Sequence, residues 1–282
     1  MKPSIPEPRV LPAGRGLGWV SVALMLLRAQ PLRMLLLGLV LQLLAGLMQL
    51  GPLGVLFVLS VPALSAGMML AWHTVASGSI PQLSMLFRAF TQPDRLLRLV
   101  LLGALVLGVA MVSVMFSLSG LIAGLDAQTL QELEQGQIER LFLEHPEELQ
   151  RSLLAMMLAL AVSGTISYFA VPLIWFMDLR LWRAVLIGLR GLLLNWRAFL
   201  LMGVMLALLA LPVVIMYTLV STLNATGSPL AALGGTLMMF LVALYQLVVL
   251  ATQYVAFAEV FGLASDNSPG GIDNDRDGQL VA

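Results

Sequence analysis

Long stretches of the chain contain no Asp, Glu, Lys or Arg. These charge-free runs cover residues 34–87, 99–125, 152–177 and 198–258. A helix that crosses the roughly 30 Å hydrocarbon core of a bilayer needs about 20 apolar residues, so the two middle runs hold one crossing each and the outer two hold two. The pattern predicts six membrane-spanning helices, over residues 33–50, 54–76, 97–121, 152–177, 198–221 and 230–258.

The two longest runs contain residue types that favour turns. Gly51, Pro52 and Gly54 interrupt the first run, and the segment from Asn224 to Pro229 interrupts the last. Gly and Pro in such clusters end helices. Each long run is therefore predicted to form a helical hairpin.

The basic residues fall on one side of the predicted spans. Of the 15 Lys and Arg residues, all but Arg140 and Arg151 lie before span 1, between spans 2 and 3, between spans 4 and 5, or in the C-terminal tail. Basic residues near span ends are retained on the cytoplasmic side. Both termini are therefore predicted to be cytoplasmic and the acidic segment 122–151 external, in a bacterial cytoplasmic (inner) membrane.

The composition agrees with a membrane protein and excludes a soluble domain. The chain is 60% hydrophobic and 11% charged, whereas about a quarter of a soluble domain is charged. We predict an all-α polytopic protein with a Pro-rich cytoplasmic leader (1–14), a six-span membrane domain (15–262) and a disordered cytoplasmic tail (263–282). The 15 basic and 15 acidic residues balance, so no net charge indicates a nucleic-acid partner.

A similar segment precedes each odd-numbered span. An apolar residue, an Arg, a small residue and a second Arg recur within 27–33, 87–95 and 189–197, and spans 2 and 4 share the Val-Pro pairs at Pro62 and Pro172. One interpretation is three hairpin repeats, each preceded by an amphipathic segment. The alternative is that apolar sequences resemble one another through composition alone.

Four arginines share one side of the segment between spans 4 and 5: Arg180, Arg183, Arg190 and Arg197. At 100° per residue, apolar residues cover most of the remaining surface. This pattern predicts an amphipathic helix along the cytoplasmic interface, with arginines at lipid headgroups and with Trp182 and Trp196 as anchors at headgroup level. Basic residues at this depth are also expected from topology alone, without a dedicated lipid site.

Four glutamines lie within the predicted spans: Gln42, Gln49, Gln246 and Gln253. The first two are seven residues apart, as are the last two, so each pair shares a helix face. An unpaired amide is costly in hydrocarbon, which predicts that both faces point at other helices. The glutamines are interpreted as packing groups, and the lining of a solute path is the alternative.

Residues that could carry out catalysis are scarce. His73 and His145 fall on opposite sides of the membrane in the predicted topology, so they cannot share a metal or a catalytic triad. The segment 273–278 resembles the start of a calcium-binding loop but lacks the acidic residue at position twelve, and it is interpreted as part of the tail. We predict no enzymatic activity, no cofactor and no metal.

Two acidic residues adjoin predicted spans. They are Asp178 and Glu259, both at cytoplasmic ends. A proton-relay acid normally lies deeper in the membrane, so ion pairing is the preferred interpretation. Asp178 is expected to pair with an arginine of the following segment: Arg180, Arg183 or Arg197.

Four short motifs stand out along the chain: Gly16–Trp19, the step from Leu27 to Pro31, Val61–Leu64 and Phe87–Phe90. In these motifs the chain resembles a family of uncharacterised multi-pass inner-membrane proteins of proteobacteria, over residues 14–262. It is more distantly similar to YciC-like inner-membrane proteins and to the membrane domain of some glycerophosphodiester phosphodiesterases. The resemblance implies a polytopic helical fold and supplies no catalytic residue.

Two functions remain after these exclusions. The first is a non-enzymatic membrane protein that organises or assists a membrane partner or local lipid. The alternative is a transporter of a lipid or hydrophobic solute, although the lack of charge inside the spans disfavours ion-coupled transport. Membrane lipid is the expected partner, with another membrane protein or a second copy of the chain as further candidates.

The predicted topology can be tested with reporter fusions at Gly136 and at the C-terminus. Gly136 lies in the predicted external segment, whereas the C-terminus follows the sixth span. The two reporters should therefore be labelled from opposite sides of the membrane. Labelling of both from the same side would contradict the topology.

Overall fold

The computed structural model describes residues 7–46, 52–124 and 146–263. Most of these residues are helical and none is in a strand, which confirms the predicted all-α class. In chain order the helices are α1 (Arg15–Ala29), α2 (Pro31–Gly46), α3 (Pro52–Ala76), a 3-10 helix (Leu83–Thr91), α4 (Pro93–Gly124), α5 (Pro146–Met177), α6 (Leu181–Leu194), α7 (Trp196–Ala225) and α8 (Leu230–Phe261).

Five helices are long and apolar enough to cross a membrane. They are α3, α4, α5, α7 and α8. Helices α1 and α2 form a sixth candidate together, as a pair bent by 102°, because the described part of α2 has 16 residues and a crossing needs about 20. The chain is therefore a polytopic membrane protein with five or six candidate spans.

Two helices extend several residues before the spans that the charge-free runs predicted. Helix α4 begins at Pro93 and α5 at Pro146, whereas the predicted spans began at residues 97 and 152. Proline suits the first helical position because its missing N–H would have no partner there and its φ angle is already helical. The predicted external segment 122–151 thus includes the end of α4 and the start of α5. Residues 125–145 of it, and the tail from 264 onwards, lie outside the described residues.

A short helix precedes each of α2, α4 and α7, near the places where the repeat interpretation predicted an amphipathic segment. These short helices are α1, the 3-10 helix and α6. The second differs from the other two in helix type, so the three segments differ in local geometry, and the repeat stays a prediction. The shared prolines, Pro62 and Pro172, both lie inside their helices and are buried.

The chain divides into two compact units, a division that the sequence did not predict. The first unit contains residues 1–42, 67–86 and 197–282, and the second contains residues 43–66 and 87–196. In the first unit α1 packs against α8, and Gly16 of α1 faces the backbone of Ala198. Three large aromatic side chains of this unit are fully buried: Trp19, Trp72 and Phe257.

In the second unit α5 packs against both α4 and α6. Gly103 of α4 faces the backbone of Leu59, and Gly188 of α6 faces Phe169 of α5. Small residues let membrane helices approach closely, which increases van der Waals contact where lipid offers no hydrophobic driving force between helices.

The packing of the 3-10 helix against α3 can be tested at Gly67. A Cβ atom at this position would collide with the backbone of Leu86, so we expect Gly67→Ala to destabilise the protein by about 1–3 kcal/mol. Gly203 of α7 is the control, because nothing lies within 4 Å of a Cβ built there. Thermal unfolding in detergent should give a lower melting temperature for Gly67→Ala than for Gly203→Ala. Equal melting temperatures would contradict the close packing.

Candidate functional site

Helix α6 is too short to cross a membrane. It has 14 residues and is therefore about 21 Å long, compared with about 30 Å for the hydrocarbon core. One side of it is buried, along Ala184, Gly188 and Gly191. Gly188 fits against Phe169 of α5, so α6 lies directly on a helix that is long enough to span.

The opposite side of α6 is apolar and exposed. Trp182, Leu186 and Leu193 are each at least 65% exposed, and at 100° per residue they point away from the buried side. Arg183 and Arg190, seven residues apart, are also exposed and form a stripe beside them. Helix α6 therefore presents an apolar surface and a positive stripe next to each other.

The predicted arginine helix is divided at Asn195. This residue is buried, and its side-chain amide donates a hydrogen bond to the Gly191 carbonyl at 2.9 Å, an interaction that competes with helix continuation. Arg180 precedes α6 in extended conformation, and Trp196 and Arg197 begin α7. Four arginines were predicted on one helix. Arg183 and Arg190 lie on α6, whereas Arg180 and Arg197 do not.

Asp178, between α5 and α6, pairs with two arginines of α4. Its carboxylate lies 2.9 Å from Arg98 and 3.5 Å from Arg95. We expected a partner among Arg180, Arg183 and Arg197, and this expectation is corrected, because the first turns of α4 lie beside the end of α5. Asp178 has a φ of 53°, a left-handed conformation that Asp tolerates better than most residues.

Two positive charges share one negative charge at this junction. Arg98 also donates to the carbonyls of Asp178 and Leu179, at 3.0 and 3.3 Å, and the Arg95 guanidinium lies 5.4 Å from the ring centroid of Trp175. The Asp178 side chain is 59% exposed, so each ion pair stabilises the fold by at most about 1 kcal/mol. The cluster orders the connection between α5 and α6 and has an excess of positive charge.

In the first unit, the amides of Gln42 and Gln246 are hydrogen-bonded to each other. The Nε2 of Gln42 donates to the Oε1 of Gln246 at 2.7 Å and joins α2 to α8. The two residues were predicted as packing groups on separate helices, and here each is the partner of the other. Gln253 is buried on α8, and Gln49 lies outside the described residues.

Helix α8 makes two further polar contacts, and their partners were not predicted, although ion pairing was the preferred interpretation of Glu259. Glu259 accepts hydrogen bonds from Arg15 at 2.6 Å and from the fully buried indole of Trp19 at 2.7 Å. The Nδ1 of His73 lies 3.0 Å from the hydroxyl of Tyr254. Each contact joins residues more than 180 positions apart, and no local sequence pattern relates residues at that separation.

These polar contacts join helices to one another within each unit. Polar groups at several points of the first unit are hydrogen-bonded to one another. Within the described ranges, no group of three or more His, Cys, Asp or Glu residues could hold a metal ion. The apolar and positive surface of α6 faces outward.

The chain matches no protein-family model, no curated protein and no solved structure. The resemblance to inner-membrane proteins of proteobacteria therefore stays a prediction. The function has to be inferred from the residues of the chain itself.

The packing role of the glutamine pair can be tested with a double-mutant cycle. We expect Gln42→Leu and Gln246→Leu each to change the free energy of unfolding by no more than about 1 to 2 kcal/mol, with a coupling of about 0.6 to 1.7 kcal/mol. Melting in detergent and retention of copurified lipid should be measured on the same variants. Loss of bound lipid at an unchanged melting temperature would favour a solute path instead.

Proposed function

We propose that this membrane protein binds anionic phospholipid headgroups through α6 and thereby organises the lipid around it, without enzymatic activity. The observation that carries the proposal is the surface of α6. There the exposed apolar side chains of Trp182, Leu186 and Leu193 lie beside the exposed arginines Arg183 and Arg190.

An apolar side and a positive stripe on one short helix suit the boundary between acyl chains and headgroups. The apolar side chains would be buried in the acyl region, where they lose contact with water. The guanidinium groups would remain at the level of the phosphates, where each basic residue gains about 1 kcal/mol from an anionic surface. Packing of α6 on α5 fixes which side faces the protein and leaves the other side for lipid.

The cluster at the start of α6 adds to the attraction for anions. The two positive charges of Arg95 and Arg98 exceed the single negative charge of Asp178. Arg180, two residues after Asp178, adds a third positive charge. Arginine binds phosphate with two parallel hydrogen bonds, which favours it over lysine for this contact. The distribution of basic residues supports a cytoplasmic position of this surface in a bacterial inner membrane.

Transport of a lipid or hydrophobic solute is the alternative. It would require polar side chains that line a pathway. Gln42 and Gln246 are instead hydrogen-bonded to each other, which supports a packing role. We therefore place lipid organisation before transport.

The proposal can be tested by lipid retention in nanodiscs of phosphatidylglycerol and phosphatidylcholine. We expect Arg183→Gln with Arg190→Gln to lower the preference for phosphatidylglycerol by about tenfold or more, the factor for two basic residues near an anionic surface. Arg151→Gln, at the opposite end of α5, is the control for the loss of one positive charge and should lower the preference by no more than about fivefold. An unchanged preference in the double variant would overturn the proposal.

The position of α6 can be measured separately in the same membranes. The chain contains no Cys, so a single introduced Cys carries a spin label without background. Labels at Leu186 and Leu193 should contact lipid, and labels at Arg183 and Arg190 should contact water. A steady increase in depth along α6 would contradict an interfacial helix.

A further inference from the structure

The second unit contains an apolar pocket of about 280 Å³ beside a membrane helix. Its walls come from the end of α2, the first half of α3 and the 3-10 helix. They include Leu44, Phe57, Ser60, Leu64, Phe87 and Phe90. The α3 residues belong to a candidate membrane span, so in a bilayer the surrounding medium is acyl chain.

The 3-10 helix presents three different sides because it has three residues per turn. Phe87 and Phe90 lie on one side, with ring centroids 6.3 Å apart, and line the pocket. Leu86 and Ala89 lie on a second side and are fully buried. Arg88 is on the third side and is exposed. The positive charge of Arg88 therefore lies at the surface, on a side of the 3-10 helix adjacent to the side that carries the two aromatic residues of the pocket wall.

The lining of the pocket selects an apolar occupant. Ser60 is its one polar side chain, and the Ser60 hydroxyl already donates to the Phe57 carbonyl at 2.7 Å. A polar ligand would find no free hydrogen-bond donor in these walls and would be desolvated without compensation. The volume lies just below the range of about 300–1,000 Å³ for small-molecule pockets, so it suits one segment of a hydrocarbon chain.

The neighbouring charges select an anionic headgroup. No ion pair involves Arg88 within the part of the chain that the structure describes. Leu59 lies between the pocket residues Phe57 and Ser60 in the sequence of α3, and Gly103 of α4 lies against it. Arg98 is five residues before Gly103, which is about 7.5 Å along the axis of α4. Arginines of both the 3-10 helix and α4 thus lie near the level of the pocket, where a phosphate above an acyl chain would complement them.

We propose that this pocket holds a segment of one acyl chain of an anionic membrane phospholipid, whose phosphate is bound by Arg88. The inference rests on the proposed function in that both require anionic lipid at the protein surface. It assigns that lipid to a second site, made of residues that α6 does not contain.

The site can be tested by photo-crosslinking of the full chain in nanodiscs. The probe is phosphatidylglycerol with a diazirine in one acyl chain, and labelled peptides are identified by mass spectrometry. Labelling should concentrate on residues 56–64 and on the 3-10 helix. Equal labelling of all exposed apolar helix faces would show bulk lipid only and would overturn the proposal.

A pair of neighbouring substitutions on α3 separates the pocket from the rest of the helix surface. Leu56 lines the pocket and Val55 does not, and both are exposed, at 63% and 53%. Leu56→Trp should fill the pocket and lower its labelling several-fold, whereas Val55→Trp should leave it unchanged. Equal labelling in the two variants, at matched melting temperatures, would overturn the acyl-chain site.

The headgroup contact is tested by Arg88→Gln. With phosphatidylglycerol, labelling of the pocket should fall about fivefold, the factor expected for one basic residue near an anionic surface. With a phosphatidylcholine probe it should not change. An equal response to both probes would overturn the phosphate contact. Because Arg183→Gln with Arg190→Gln should leave pocket labelling intact, failure of this site and failure of the α6 proposal give different results.

Discussion

Apolar burial cannot hold membrane helices together, because lipid tails are as apolar as the side chains that would be buried. This chain therefore depends on close approach and on polar contacts between helices. Gly16, Gly103 and Gly188 bring backbones together where a Cβ would collide or crowd, and one hydrogen bond between Gln42 and Gln246 joins α2 to α8. The hydrocarbon core contains no water that could bond an unpaired amide. Each of the two amides therefore favours the packing in which the other helix lies beside it.

The charged residues complete the arrangement at the ends of the helices. Glu259 is held by Arg15 and Trp19 in the first unit, and Asp178 by Arg95 and Arg98 in the second. Each acid has a partner from a distant part of the chain and fixes a helix end. Arg88, Arg183 and Arg190 are exposed, and for this reason some of the residues that predict the topology are also the candidates for lipid binding.

The long helices were predictable because a span leaves a strong local signal. An absence of charge over about 20 residues has few other physical explanations, and the helices follow the predicted spans in order. The division of the arginine segment at Asn195 was not predictable in this way, since it depends on one side-chain hydrogen bond to Gly191. The partners of Asp178 and Glu259, and the pocket wall formed by Phe87 and Phe90, depend on which helices pack together, and hydrophobic patterns do not encode that choice.

The two units are built from different parts of the chain. The second consists of residues 43–66 and 87–196, whereas the first combines the beginning of the chain with residues 67–86 and everything after 196. The backbone N–H of Arg9 donates to the carbonyl of Val260 at 2.8 Å, a contact between residues some 250 positions apart. During synthesis the second unit has all its helices once α6 has emerged, but the first must wait for α8. The first unit, which contains the start of the chain, is therefore completed last. Helix α1 must remain without its α8 partner in the membrane until synthesis is nearly finished.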